Sequence, residues 1–206
     1  DLRAALAKVD NSTIVWFDFE TNGLKTPFQG ANVAIGGMAL CWQDNAAWYV
    51  VLDHLNPELN PVQRGTALEF IRWFLKSDLP KGGQNIKFDC LQSEGCFGIR
   101  PRRIVADTML LSHLIDPSRG THGEEKLALQ VGLAGYGQKL HQWLTDNKCE
   151  DWTKAPLDLV ARKSMADVLI CQRYFSLKLP SIEKRKQEDL YFDHIVPGIK
   201  PYMAME

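Results

Sequence analysis

Thr13-Ile14-Val15-Trp16-Phe17-Asp18-Phe19-Glu20-Thr21-Asn22-Gly23-Leu24 reads as a buried strand running into a loop. From Thr13 to Phe19 the residues are mostly β-branched or aromatic, and Asn22-Gly23 is a strong turn signal. Asp18 and Glu20 lie two apart, so strand alternation sets both carboxylates on one side, at the end where the strand meets its loop. Acids beside Trp16, Phe17 and Phe19 are costly to bury unless they are paired or ligate a cation, and open α/β sheets bind ligands in the crevice beyond their strand ends. Two readings therefore stand together: a metal site, or a strand end that meets water.

Outward from this strand, Val33 to Trp42 and Ala46 to Leu52 are extended candidates joined by Gln43-Asp44-Asn45, which suits a hairpin and makes the first three strands a meander. Between Pro61 and Leu75 the apolar residues recur at helical spacing, and Pro80-Lys81-Gly82-Gly83 breaks that pattern. A short strand near Gln84, a helix from Ile86, a strand around Ile104-Val105-Ala106 and a helix through Met109 to Leu114 give an α/β order. After Pro117 the chain turns helical, with a long helix from Pro156 to Leu179 that Pro180 should end or bend. The last residues, 181–206, read as a helical run that opens on the charged segment Glu183 to Asp189.

With 24 Lys and Arg against 25 Asp and Glu, the chain has no global field to capture a polyanion or an anionic membrane, so any polyanion must be held locally. No stretch approaches the ~20 apolar residues of a membrane span. Five scattered cysteines without a C-x-x-C pair argue against a disulfide framework or zinc and for a reducing, intracellular setting. No G-x-S-x-G element or P-loop is present. The start at Asp1, without Met or a signal pattern, reads as a piece excised from a longer chain, with residues 1–206 forming a single domain.

Two further acids matter. Asn85 stands where it could cap a helix, and Asp89 follows one turn later, able either to face the tip of the first strand or simply to complement the helix dipole. Asp167 lies mid-helix among Met165, Ala166, Val168 and Leu169, where Asp is a poor helix former, so a specific role is expected.

Taken in order, F-D-F-E-T-N-G-L, then N-x-x-x-D, then a helical Asp resemble the DEDD superfamily of 3′-to-5′ exonucleases. The resemblance implies an α/β, ribonuclease-H-like mixed sheet of about five strands flanked by helices, with a C-terminal helical extension. It implies that Asp18, Glu20, Asp89 and Asp167 bind two divalent cations, Mg²⁺ or Mn²⁺, for phosphodiester hydrolysis. It further implies that Leu24 wedges against the terminal base and that Thr21 and Asn22 meet the 3′ end. Asn85 is expected to touch the strand as well, and Asp107 to act as a helix cap or support.

Proofreading domains of family A DNA polymerases resemble the chain over nearly all its length. The implied substrate is the 3′ end of single-stranded or mispaired DNA, and the implied partner is a covalently linked polymerase domain reached through the tail; the protein is expected to be monomeric. A free-standing exoribonuclease similar to ribonuclease D is the alternative, as is a catalytically silent single-strand-binding module.

The last motif departs from the superfamily, whose branches place Tyr four residues, or His five residues, before the final Asp; here Lys163 and Arg162 stand there. Lys163 shares a helix face with Asp167. Either it forms an ordinary ion pair worth ~0.2 to 0.5 kcal/mol, or its ammonium partly substitutes for a metal ion and slows hydrolysis. Arg100, Arg102 and Arg103, with Lys184, Arg185 and Lys186, and singly Lys87 and Arg119, are candidate backbone contacts or plain solvated charges.

Overall fold

The computed structural model describes residues 1–205 apart from Asn56 and Arg119; the tail's final residue, Glu206, and the candidate contact Arg119 thus lie outside the described residues. The opening stretch forms the central strand β1 (Val15–Thr21). On one side β2 (Ile35–Gln43) and β3 (Ala46–Val51) continue the sheet antiparallel as the expected meander. On the other, β4 (Lys81–Gly83) and β5 (Ile104–Asp107) run parallel, giving the order β3-β2-β1-β4-β5.

Eight α-helices accompany the sheet among the described residues: α1 (Leu2–Leu6), α2 (Pro61–Lys76), α3 (Ile86–Phe97), α4 (Thr108–Ile115), α5 (Glu124–Gln130), α6 (Gln138–Asp146), α7 (Leu157–Lys184) and α8 (Ile199–Met203). Alternation along β1 decides which helix sees which residue. Phe17 packs on Phe74 of α2 with ring centroids 5.5 Å apart, whereas Trp16 packs on Phe175 of α7 at 5.1 Å, so the two helices cover opposite faces. Asp18 and Glu20 share the parity of Trp16 and are thereby aimed at α7. The ladder with β2 shifts register between Glu20 and Thr21, a bulge at the point where the strand carries its acids.

The structure sharpens the sequence reading at two points. The short strand expected near Gln84 is Lys81–Gly83, part of the stretch read as breaking the helical pattern. Its glycines are required by close approach: a Cβ on Gly82 would lie 2.8 Å from the Trp16 ring, and one on Gly83 would lie 2.9 Å from the Phe17 carbonyl oxygen. Pro180 does not end the long helix, which continues to Lys184 with Ile182 fully buried against the core. The helical tail, with a π-helical turn at Leu190–Ile195, packs Tyr191, Val196, Ile199 and Met203 into the same core as the sheet. There the Tyr191 hydroxyl accepts from the Asp107 N–H at 2.9 Å and donates to the Asp107 carbonyl at 2.8 Å, on the outermost strand.

All five cysteines are free thiols. Among the described residues no helix is long and apolar enough to cross a membrane.

Candidate active site

At the end of β1 the chain leaves an open cleft of about 1190 Å³, lined by Asp18, Glu20 and Asp89 among others. Three elements deliver the acids. Asp18 and Glu20 come from β1, and the buried Asp167 comes from the middle of α7; one carboxylate oxygen from each lies within 4.8 Å of the others. Asp89 stands in the first turn of α3, where its Oδ1 accepts the Phe19 N–H at 2.9 Å. The position facing the strand is thus the observed one, although Asp89 lies outside the tight trio.

The start of α3 is not held as expected. Asn85 sits at the N-cap position with φ 51° and makes no capping bond through its side chain. Asp107 does that work: its carboxylate accepts from the N–H groups of Asn85 (3.3 Å) and Ile86 (2.9 Å) at α3, and of Met109 (2.8 Å) and Leu110 (3.1 Å) at α4. One buried acid therefore caps two helices, and the shorter reach of Asn85 is displaced by it.

Lys163 reaches the carboxylates, as its helical spacing to Asp167 implies. Its ammonium lies 2.7 Å from Asp167 Oδ2, 3.4 Å from Glu20 Oε1 and 3.8 Å from Glu124 Oε2. It also rests 4.5 Å from the centre of the Trp152 ring. Glu124, at the first turn of α5, is a fifth acid that sequence reasoning missed; a glutamate in a first helical turn looks like an ordinary dipole complement. Tyr136 was missed as well; it stands in the α5–α6 loop, where burial and then the Asp167 and Glu124 charges push its phenol up. Only an aromatic residue in a Gly-rich loop marked it.

Burial sets the electrostatics. It pushes Glu20 up to about 7, with Lys163 opposing and Asp167 adding to the rise. Asp89 is pushed up to about 8 by burial, against the Phe19 N–H bond, and Glu124 to about 8 by burial and the Asp167 charge. Burial alone would lower Lys163, but the combined charges of Asp167, Glu20 and Glu124 raise it well above the ordinary lysine value, so it is charged. Asp167 is fully buried with its Oδ2 on the Lys163 ammonium, and the trio offers oxygen ligands alone. That donor set fits a hard divalent cation.

Around the acids, Thr21, Asn22, Leu24 and Asn85 line the same cleft. Leu24 is 92% exposed, which rules out a core-facing loop residue. Thr21 Oγ1 donates to the Gly23 carbonyl at 2.6 Å, and Asn22 bridges to Asn32 and Ala34, so these two side chains brace the loop. The arginine cluster serves structure: Arg100 pairs with Glu94, Arg102 with Asp78, and Arg103 donates to the carbonyls of Asp78 and Asn11. Arg185 likewise donates to the Ile115 carbonyl.

A mixed five-stranded sheet with helices on both faces and an acid-lined cleft at the end of its central strand is the arrangement of the ribonuclease-H-like exonucleases. The chain belongs to the 3′-5′ exonuclease family of the DNA polymerase A type, whose model matches residues 1–160. It is 30% identical over 129 aligned residues to a DNA polymerase of Escherichia phage T5, a match covering 55% of this chain and 15% of the polymerase. Its fold is similar to that of NrnC from Brucella melitensis, with a TM-score of 0.67, 16% identity, and coverage of 95% of this chain and 86% of that one. Escherichia coli RNase D, an exoribonuclease involved in structured RNA processing, superposes with a TM-score of 0.64 at 14% identity, over 97% of this chain and 48% of its own.

Proposed function

We propose that this 3′-5′ exonuclease removes nucleotides from the 3′ end of single-stranded or mispaired DNA, as the proofreading part of a family A DNA polymerase to which it is covalently joined. The observation that carries the reading is the convergence of carboxylates from β1 and α7 on one point, with Asp89 of α3 beside them in the same cleft. In this reading Asp18, Glu20, Asp89 and Asp167 form the cup that takes up divalent metal, Mg²⁺ or Mn²⁺, which would supply an activated water and charge neutralisation at the leaving 3′ oxygen.

The chain's own groups bind and orient. The exposed Leu24 packs against the terminal base, the Thr21–Asn22 backbone lies against the terminal sugar, and Asn85 borders the adjoining strand. Lys163, where a water-orienting hydroxyl would stand in the superfamily, attenuates the rate. The protein acts as a monomer. The relation to the phage polymerase supports DNA as substrate; the likeness in fold to RNase D supports an exoribonuclease as the second reading.

Single-turnover digestion of 5′-labelled DNA and RNA strands of one sequence tests this, with Mg²⁺, Mn²⁺ or chelator. The expected result is a ladder shortening from the 3′ end one nucleotide at a time, faster on DNA and abolished by chelator. Faster cleavage of RNA would transfer the assignment to the exoribonucleases. Binding without release of mononucleotides would leave a silent strand-binding module.

A further inference from the structure

Five acids, Asp18, Glu20, Asp89, Glu124 and Asp167, gather at the end of the sheet, and the Lys163 ammonium lies within ion-pairing distance of Glu20, Glu124 and Asp167. That ammonium is central. The Lys163 side chain is 11% exposed, and its nitrogen faces acids from three different elements: Glu20 of β1, Glu124 of α5 and Asp167 of its own helix. A solvated i to i+4 pair has one partner and water, and is worth a few tenths of a kcal/mol. This lysine instead has three carboxyl partners and an aromatic face at 4.5 Å.

Two of those carboxyls, Glu20 and Asp167, also belong to the trio whose oxygens lie within 4.8 Å of one another. An ammonium and a metal ion would therefore compete for the same ligands. Glu124 is not in the trio. Its carboxyl group is a third acid beside Lys163, brought from α5.

We propose that Lys163 is a built-in cation, positioned by Glu124 and Trp152, that fills one of the two cation positions of the cup, so that the protein takes up one divalent ion, on the Asp18–Asp89 side. The proposal rests on the exonuclease reading above and assigns Glu124 as a positioning residue that acts through Lys163. Because the ammonium is covalently tethered, it competes for its position at an effective concentration that dilution does not lower, so a second ion binds there far more weakly than the first.

The test counts ions and does not depend on turnover. Mn²⁺ is titrated into the whole 206-residue chain without substrate, and the free-ion electron paramagnetic resonance signal gives the number bound. One bound ion is expected for the unaltered chain and two for Lys163→Met, with Lys163→Gln as the second variant should Met lose its cooperative melting transition. Glu124→Gln is expected to tighten uptake of the second ion about tenfold while Lys163 is present, the factor for loss of one charge-assisted contact. In the Lys163→Met background it should give no gain. Two ions bound by the unaltered chain, or Glu124→Gln weakening uptake equally in both backgrounds, would overturn the proposal and leave the metal-dependent reading intact. No Mn²⁺ bound by any variant at millimolar concentration would overturn both.

Discussion

Replacing Asp107 by Ala perturbs the site through its scaffold and not through its ligands. The carboxylate, 2% exposed, is the acceptor for four backbone N–H groups at the starts of α3 and α4. Loss of one cap costs ~1 kcal/mol in typical cases, so two caps give about 2 kcal/mol, and stranded buried amides add about 1 kcal/mol or more. About 3 kcal/mol in total corresponds, for a chain of this size, to a melting temperature lower by about 6 to 12 °C. Asn60→Ala is the matched control, since Asn60 caps only α2 and does so at the surface. Scanning calorimetry of both variants with Asp107→Asn, which keeps one acceptor, should rank the losses Asp107→Ala, Asp107→Asn, Asn60→Ala. Because α3 carries Asp89 in its first turn, nucleotide release by the folded fraction should fall as well. A loss for Asp107→Ala no larger than that for Asn60→Ala would refute the two-helix capping argument.

Asp89→Asn is expected to cut single-turnover nucleotide release at least about a hundredfold while leaving the fold intact; a rate within a few-fold of the unaltered chain would remove Asp89 from the machinery. Leu24→Ala should change stability by no more than about 0.5 kcal/mol, because the side chain is 92% exposed, yet slow cleavage of the terminal nucleotide; a folding defect without a kinetic one would contradict its placement against the base. Metal-free protein should lose stability as pH rises. Glu20 near 7 and Asp89 and Glu124 near 8 hold protons in the fold that the unfolded chain releases near pH 4, so stability is full below that pH and declines up to about 8. Melting curves at pH 5 and pH 8.5 in chelator should show the decline and added Mn²⁺ should offset it; a flat profile in chelator would refute the burial argument.

Much of the site was legible because each acid violates a local rule. Asp18 and Glu20 interrupt an apolar strand with matching parity, and Asp167 sits in a helix that has no propensity reason to hold it. What could not be read obeyed local rules. Glu124 is an unexceptional acid at a helix start, and its approach to Lys163 depends on how α5 packs on α7, a contact between residues 39 apart in sequence. The bounds of β4 were blurred for a different reason. Lys81-Gly82-Gly83 carries the residues that usually break structure, and only the Trp16 ring and the Phe17 carbonyl explain why glycine is needed there. Asn85 misled because the stronger acceptor, Asp107, lies 22 residues further on.

The phenol of Tyr191, set against the rim of β5, has a consequence for how these molecules behave in a crowd. A terminal strand normally offers a bare amide and carbonyl to any passing chain, and here one ring supplies both complementary groups at once. The tail thus works as a hem at that corner: while it stays stitched, the Asp107 end of the border gives no foothold to a second molecule's strand.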